Sequence, residues 1–258
     1  MAYQKVVVSM SSHSVKGKMI KHKLLIKDPS LYPHLPLTKW LTPSDALYML
    51  KSHSTVFLKP DGGSGGSGIL KIRNTSTGGY EIRYGKIRER VGRHTLYRTL
   101  RRYQKSSTPY IVQKGIHLGR YHGRVFDIRM YLQRPRSEWG ISGMAARIAP
   151  PHHYITNYTR GGKAVLLEKV LYPLFEGNTE KVNECIENLR LISLNIATTL
   201  NKRFKDIREL GIDLAVESSG QIWIIEANTR PQHKLFTKLP TSEMLRTIRH
   251  NKKKIKKG

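Results

Sequence analysis

The sequence predicts an α+β fold in which strands pair antiparallel, and three observations carry that expectation. The apolar run Gly211–Val216 and the run that begins at Gln221 are joined by Glu217-Ser218-Ser219-Gly220, a Ser/Gly turn that folds them into a hairpin. A second pair of strand-like runs, Thr55–Pro60 and Ile69–Arg73, flanks the glycine-rich stretch Gly62–Gly68. Between Thr179 and Phe204 the residues Val182, Ile186, Leu189, Ile192 or Ser193, Ile196 and Leu200 recur at helical spacing, with Asn178 or Thr179 as N-cap, which is the stripe of a long amphipathic helix.

Taken in order, Lys5–Val8 is a short strand candidate and Ser9–Ser14 a polar turn. Lys16–Lys27 is basic with apolar Met19, Ile20, Leu24 and Leu25, a helix that ends before Asp28-Pro29. Leu31–Pro43 holds Pro33, Pro36 and Pro43 and is expected to be an irregular connector, after which Ser44-Asp45 caps a helix through Leu47, Leu50 and Lys51. The β-branched and aromatic strand Thr55–Pro60 delivers Lys59 at its end. Glycines 63, 65 and 68 spell G-x-G-x-x-G, but a dinucleotide fingerprint opens a helix and Ile69–Arg73 alternates like a strand, so the loop belongs to a hairpin. No Lys-Ser or Lys-Thr follows it, which excludes a Walker loop, and the H-R-D and D-F-G elements of protein kinases are missing. Its exposed N–H groups suit phosphate, while its Gly/Ser composition keeps a flexible linker open as an alternative.

Glu89–Gln104 places Val91, Leu96, Leu100 and Tyr103 at helical spacing with arginines between them, either a surface helix with a basic face or a polyanion patch. Thr108–Ile116 is a strand, and Val125–Leu132 another whose alternation sends Asp127 and Arg129 to one face. In Trp139–Ala149, Arg147 stands alone among small and apolar residues and needs an anion. Thr156-Asn157 to Arg160-Gly161-Gly162 is a polar loop, a phosphate or substrate contact or an ordinary glycine turn. Cys185 falls beside the long helix's stripe and belongs to the core; the histidines show no metal-binding spacing.

Composition sets limits on function. The 258 residues allow one large domain or two small ones, and the one cysteine excludes an internal disulfide and a cysteine metal site. No run approaches the roughly 20 apolar residues of a membrane helix, and Met1–Met10 lacks the apolar stretch of a signal peptide, so a cytoplasmic protein is the default expectation. Lys and Arg number 46 against 18 Asp and Glu, a net charge of +28 that favours anionic partners: nucleic acid, polyanionic polymer, anionic membrane or acidic peptide. Part of that charge is the tail from Arg246 to Lys257, expected to be a solvated, frayed end.

The chemistry concentrates on the first hairpin. Period 2 puts Glu226 and Asn228 on one face, and Asp213 can meet them across the ladder. Two carboxylates and an amide are hard oxygen donors that suit Mg²⁺, which takes few protein ligands and fills its sphere with water and phosphate. The alternative is that Asp213 and Glu226 pair with some of the many Arg and Lys side chains.

The joint order of Lys59-Pro60 with its glycine loop, Gln113-Lys114-Gly115-Ile116, Asp127-Ile128-Arg129 and Gly211-Ile212-Asp213 with Glu226-Ala227-Asn228 resembles the ATP-grasp superfamily. In detail the sequence is similar to the YheC/YheD family of endospore coat-associated ATP-grasp proteins, through Lys18, His22, Leu35-Pro36-Leu37-Thr38, Phe126–Arg129, Ala145–Ala149 and Thr156-Asn157, from about Lys16 to Phe236. The resemblance implies two α+β subdomains gripping ATP: a lead-in over 1–15, a first part over 16–112, a second over 113–240 and a basic tail over 241–258. It implies adenine near Gln113, Lys114 and Ile116, nucleotide contacts from Lys59 and Lys18, and phosphates under Gly63, Ser64, Gly65, Gly66, Ser67 and Gly68. Asp213, Glu226 and Asn228 match Mg²⁺ ligands, and Arg129 and Arg147 match positions that hold the γ-phosphate or an acyl phosphate; Asn157 and Arg230 are candidate substrate contacts.

The implied activity is that of an ATP- and Mg²⁺-dependent ligase that activates a carboxylate as an acyl phosphate for an amine or other nucleophile, on an acidic peptide or polymer. Two alternatives stand beside it, a spore-associated or polyanion-binding scaffold with little turnover and an ATP-grasp kinase. Two departures bear on the acceptor: about fifteen residues precede the matched region, where many ATP-grasp enzymes carry a further domain, and Arg230 is bulkier than the small residue expected there.

Overall fold

The computed structural model describes residues 17–63, 65–105, 107–151, 153, 154, 156 and 162–257. The expected strand at Lys5–Val8 and turn at Ser9–Ser14, Ser64, Asn157 and Arg160 lie outside these residues. The rest folds into two antiparallel sheets, the first with helices on one face and the second with helices on both, as the α+β expectation requires.

The first sheet comprises β1 (Thr38–Trp40), β2 (Thr55–Pro60), β3 (Leu70–Asn74), β4 (Tyr80–Tyr84), β5 (Ile87–Val91) and β6 (Tyr110–Lys114), in the order β1-β6-β2-β3-β4-β5. Alternation decides its faces. Val56, Leu58, Leu70, Ile72 and Ile82 pack against Met49 and Leu50 of α2 (Pro43–Ser52) and Leu96 and Leu100 of α3 (Leu96–Tyr103). Residues of the opposite parity, Phe57 and Lys59 among them, are left to face the second sheet.

The second sheet comprises β8 (Arg124–Gln133), β9 (Gly140–Ile148), β10 (Lys163–Val165), β11 (Glu209–Val216) and β12 (Ile222–Asn228), in the order β10-β9-β8-β11-β12, with β7 (Arg120–Tyr121) forming a small hairpin on β8. Phe126, Ile128, Met130 and Leu132 of β8 point into a core shared with α4 (Glu168–Leu174) and the long α5 (Thr179–Arg203). Leu189, Ile196 and Leu200 of α5 are fully buried there, each contributing about 1.5–3 kcal/mol by leaving water. Asn178 caps α5 by accepting the Lys181 amide at 2.9 Å. Cys185 is buried in this core, which pushes its thiol up to about 12.

Several expectations change. The Leu31–Pro43 connector contains a 3₁₀ turn at Tyr32–His34 and the strand β1, because Thr38–Trp40 finds open backbone partners on β6. Thr42 rather than Ser44-Asp45 caps α2: its Oγ1 accepts the Asp45 amide at 3.0 Å and Pro43 takes the first helical position. The stretch expected to be one helix over Glu89–Gln104 is the strand β5 followed by α3; Val91, Leu96, Leu100 and Tyr103 still share one core, reached by a strand and a turn.

The basic tail is no frayed end. Residues Glu243–Lys257 form α6, whose Met244, Leu245 and buried Ile248 cover Tyr131 and Phe236 on the other face of the second sheet. The boundary expected after residue 112 falls within β6, which stays in the first sheet, and Leu25 of α1 (Lys18–Leu25) belongs to the second sheet's core.

Candidate active site

Between the facing surfaces of the two sheets lies a cavity of about 430 Å³. β2 contributes Phe57 and Lys59, the glycine loop Gly65 and Gly66, and the segment after β6 Ile116 and Leu118. From the second sheet come Asp127, Arg129, Arg147, Asp213, Glu226 and Asn228. These polar residues reach the cavity because β8 alternates: its even-numbered apolar residues bury against α5, so Asp127 and Arg129 emerge on the other side.

The β11–β12 ladder sets Asp213 directly opposite Glu226 and Gly211 opposite Asn228, with a bulge after Asp213 that leaves Ile225 without a partner on β11. Asp213 is gripped by Arg129, whose Nε and Nη2 donate to its two oxygens at 2.5 and 3.0 Å. Arg147 Nη2 also lies 3.0 Å from Asp213, while its Nε and Nη2 donate to Asp127 at 2.7 and 2.5 Å. The result is a buried chain of alternating charge, Asp127, Arg147, Asp213, Arg129. Burial alone would raise the Asp213 carboxyl, but Arg129 and Arg147 hold it below its ordinary range. Burial likewise works against the Arg147 charge, and the two aspartates outweigh it, so the guanidinium is held more firmly protonated than usual.

The lysines form a second group. Lys59 is buried and donates to Gln113 Oε1 at 2.5 Å, and Gln113 donates in turn to Thr38 Oγ1 at 2.9 Å. Burial brings the Lys59 ammonium down to about 8, against the opposing pull of Glu226. Lys18 lies 3.3 Å from Glu226 and donates to the Gly63 carbonyl at 3.2 Å, so it joins the β12 carboxylate to the glycine loop. The start of α1 is fixed by Asp61, whose Oδ1 accepts the Met19 amide at 2.7 Å. In the loop, glycines 63, 65, 66 and 68 adopt φ of 110°, 72°, 70° and 79°, a region closed to most side chains. Ser67 Oγ accepts from Lys105 at 3.2 Å.

A family model described as YheC/D like ATP-grasp matches residues 8–254. The chain belongs to this family. It is 28% identical over 225 residues to the endospore coat-associated protein YheD of Bacillus subtilis (strain 168), which covers 84% of this chain and 48% of that protein. To the endospore coat-associated protein YheC of the same strain it is 23% identical over 208 residues, 78% of this chain and 56% of that protein. The chain thus spans about half the length of these relatives. Among solved structures, D-cycloserine synthetase DcsG matches with a TM-score of 0.56 at 12% identity, over 92% of this chain and 70% of that one. The ADP complex of the N5-carboxyaminoimidazole ribonucleotide synthetase purK matches with 0.53 at 15% identity, over 92% and 51%. These likenesses establish the ATP-grasp fold.

Of the residues that the ATP-grasp resemblance singles out, Lys59, Gly65, Gly66, Ile116, Arg129, Arg147, Asp213, Glu226, Asn228 and Arg230 line the cavity. Lys18 and Gln113 line an adjoining small pocket behind Lys59. Lys114 turns the other way and sets its ammonium 5.3 Å over the Trp223 ring, because its neighbour Gln113 takes the inward position of β6. The anion that Arg147 needs is supplied from within by Asp127 and Asp213.

Three site residues escape a sequence reading. Lys21 is buried and donates to the Ala227 carbonyl at 2.5 Å, pinning α1 to β12; burial lowers its pKa. Its signal is a lysine between Met19 and Leu25 on the buried side of a short helix. Phe57 and Tyr154 form a tilted aromatic pair at 6.1 Å between the two halves, and only the strand parity of Phe57 hints at it.

Among the described residues no group of three or more His, Cys, Asp and Glu is placed to hold a metal by itself. Asp213, Glu226 and Asn228 nonetheless offer the oxygen donors that Mg²⁺ takes when phosphate completes its sphere. Asp213 would then serve a cation together with Arg129 and Arg147.

Proposed function

We propose that the chain is an ATP-dependent ligase. A substrate carboxylate oxygen attacks the γ-phosphorus, the bond to the β-phosphate oxygen breaks and ADP leaves. An amine or other nucleophile then attacks the acyl carbon, giving up a proton as inorganic phosphate departs. The observation that carries this reading is the meeting of Lys59, Arg129 and Arg147 with Asp213, Glu226 and Asn228 in one cavity beside a positive-φ glycine loop.

Phosphoryl transfer asks a protein for position and charge more than for covalent chemistry. Ile116 and Leu118 supply an apolar wall for adenine. Lys59 and Lys18, with the loop's N–H groups, hold the phosphates, and Arg129 and Arg147 neutralise the transferred group. Mg²⁺, held by Asp213, Glu226 and Asn228, would withdraw charge from the phosphate oxygens when bound. The carboxylate belongs to an acidic peptide or polymer, to which the +28 charge is suited, and the chain works in the cytoplasm or in association with the spore.

One observation favours a second reading, a polyanion-binding scaffold with little turnover: both arginines are already engaged by Asp213 and Asp127. Hydroxylamine trapping separates the possibilities. With MgATP and a carboxylate-rich peptide, a ligase releases ADP and forms a hydroxamate. ADP with a stable phosphoester would instead mean a kinase, and neither product would support the scaffold.

A further inference from the structure

We propose that the inner face of the first sheet is the seat of the acidic peptide, along a row of cations that runs from the cavity wall to the edge strand β5. The inference rests on the ligase reading for what happens at the end of the row, and on the sheet's geometry for the row itself.

The ladder registers align Phe57 with Lys71, Lys71 with Arg83, and Arg83 with Arg88. Directly opposed residues share a face, so these four side chains form one transverse row on the face that carries Lys59. Beside them lie Arg73 opposite Glu81, and Glu81 opposite Arg90. Glu81 is the carboxylate on this face, and it is taken by Arg73 at 3.1 Å. Among the described residues Lys71, Arg83 and Arg88 have no ion-pair partner, and Arg83 Nε is buried without a hydrogen-bond partner.

The row is built into the fold and differs from the solvated charges on the outer faces of α3 and α6. Lys71 sits 6.0 Å from the Phe57 ring centre and 5.8 Å from that of Tyr154, and the Arg83 guanidinium lies 5.6 Å from the Tyr154 ring. Tyr154 also donates to the Arg83 carbonyl at 3.1 Å, which fixes the aromatic wall over the row. Burial lowers the Lys71 pKa, and Arg83, Arg73 and Arg120 of β7 lower it further while Glu81 opposes them. Like charges held together at a half-buried face call for an anion to lie among them.

Strands about 4.8 Å apart make the row from Phe57 to Arg88 about 14 Å long, the length of four to five extended residues. A run of carboxylates fits the spacing, and at the Phe57 end it enters the cavity where a terminal carboxylate would meet the transferred phosphate. That continuity favours an acidic peptide over a nucleic acid, whose phosphates would have no such use for the cavity.

The test is fluorescence anisotropy with labelled hexaglutamate, hexaglutamine and hexathymidylate, on the full chain and on Arg83→Gln, Arg88→Gln and the double variant, with MgATP binding measured alongside. Expected are saturable binding of hexaglutamate over hexaglutamine, a loss of roughly tenfold in the double variant, and unchanged MgATP affinity. Absence of hexaglutamate binding, equal affinity in the double variant, or a matching preference and loss for hexathymidylate would overturn the proposal. Loss of MgATP binding in the parent with the peptide result intact would sink the ligase reading and leave the seat standing. Should Arg83→Gln fail to fold, the exposed Arg88→Gln decides, with a several-fold loss expected.

Discussion

Arg129 grips Asp213 through two hydrogen bonds, 2.5 Å from Nε and 3.0 Å from Nη2, at the place where Asp213 faces Glu226 across the β11–β12 ladder. One carboxylate is thereby both the counter-ion of two arginines and a candidate ligand for a cation.

Asp213→Asn keeps the shape and removes the charge, leaving Arg129 underpaired in the site. Urea denaturation at pH 7 is expected to lose about 3–5 kcal/mol. Because the folded carboxyl lies below its unfolded value of about 3.9, its contribution is present above that pH and is lost as pH falls through the folded pKa. The gap between parent and variant therefore closes at acid pH; equal stability at pH 7 would refute the assignment.

Lys59 gives the site a pH signature. Its ammonium titrates at about 8, so phosphate binding should raise that value and take up a proton above it. MgATP affinity is expected to be flat below about pH 7 and to fall as pH rises through the Lys59 pKa, by up to about tenfold per unit. Calorimetric heats at pH 8.5 should vary with the buffer's ionisation enthalpy, and Lys59→Met should abolish that variation.

Gly211 is fixed by crowding. A Cβ there would lie 2.7 Å from Pro231 Cβ and 2.9 Å from Arg129 Nη1. Gly211→Ala should cost about 1–3 kcal/mol and weaken nucleotide binding by displacing Arg129, whereas Gly140→Ala, which meets nothing within 4 Å, should stay within about 0.5 kcal/mol. Thermal melts and MgATP titrations of the two variants compare directly.

Ile248 tests the role of the C-terminal helix. It is fully buried against the second sheet, so Ile248→Ala should lower stability by about 2–4 kcal/mol in urea, a loss that a frayed tail would not produce.

Glu226 and Asn228 are legible as a pair in the sequence because period 2 alone decides which side chains of one strand share a face, and the tight turn before them brings Asp213 within reach across the hairpin. The same rule makes Asp127 and Arg129 neighbours. What period cannot convey is register: Arg147 meets Asp127 only because β8 and β9 pair so that the two residues oppose each other. The strand β5 hides because Val91, Leu96 and Leu100 keep a helix-like spacing through a strand and a turn. The helix α6 hides because lysines and arginines outnumber Met244, Leu245 and Ile248, the few residues that dock it. The cation row across β3, β4 and β5 is invisible until the ladders align it.

The most direct test is calorimetric titration of MgATP into the parent and into Glu226→Gln, at moderate salt to screen general attraction to the basic surface. Saturable binding by the parent that weakens strongly in Glu226→Gln is the predicted result. Absence of specific binding by a well-folded parent, or equal affinity in the two, would contradict the nucleotide site.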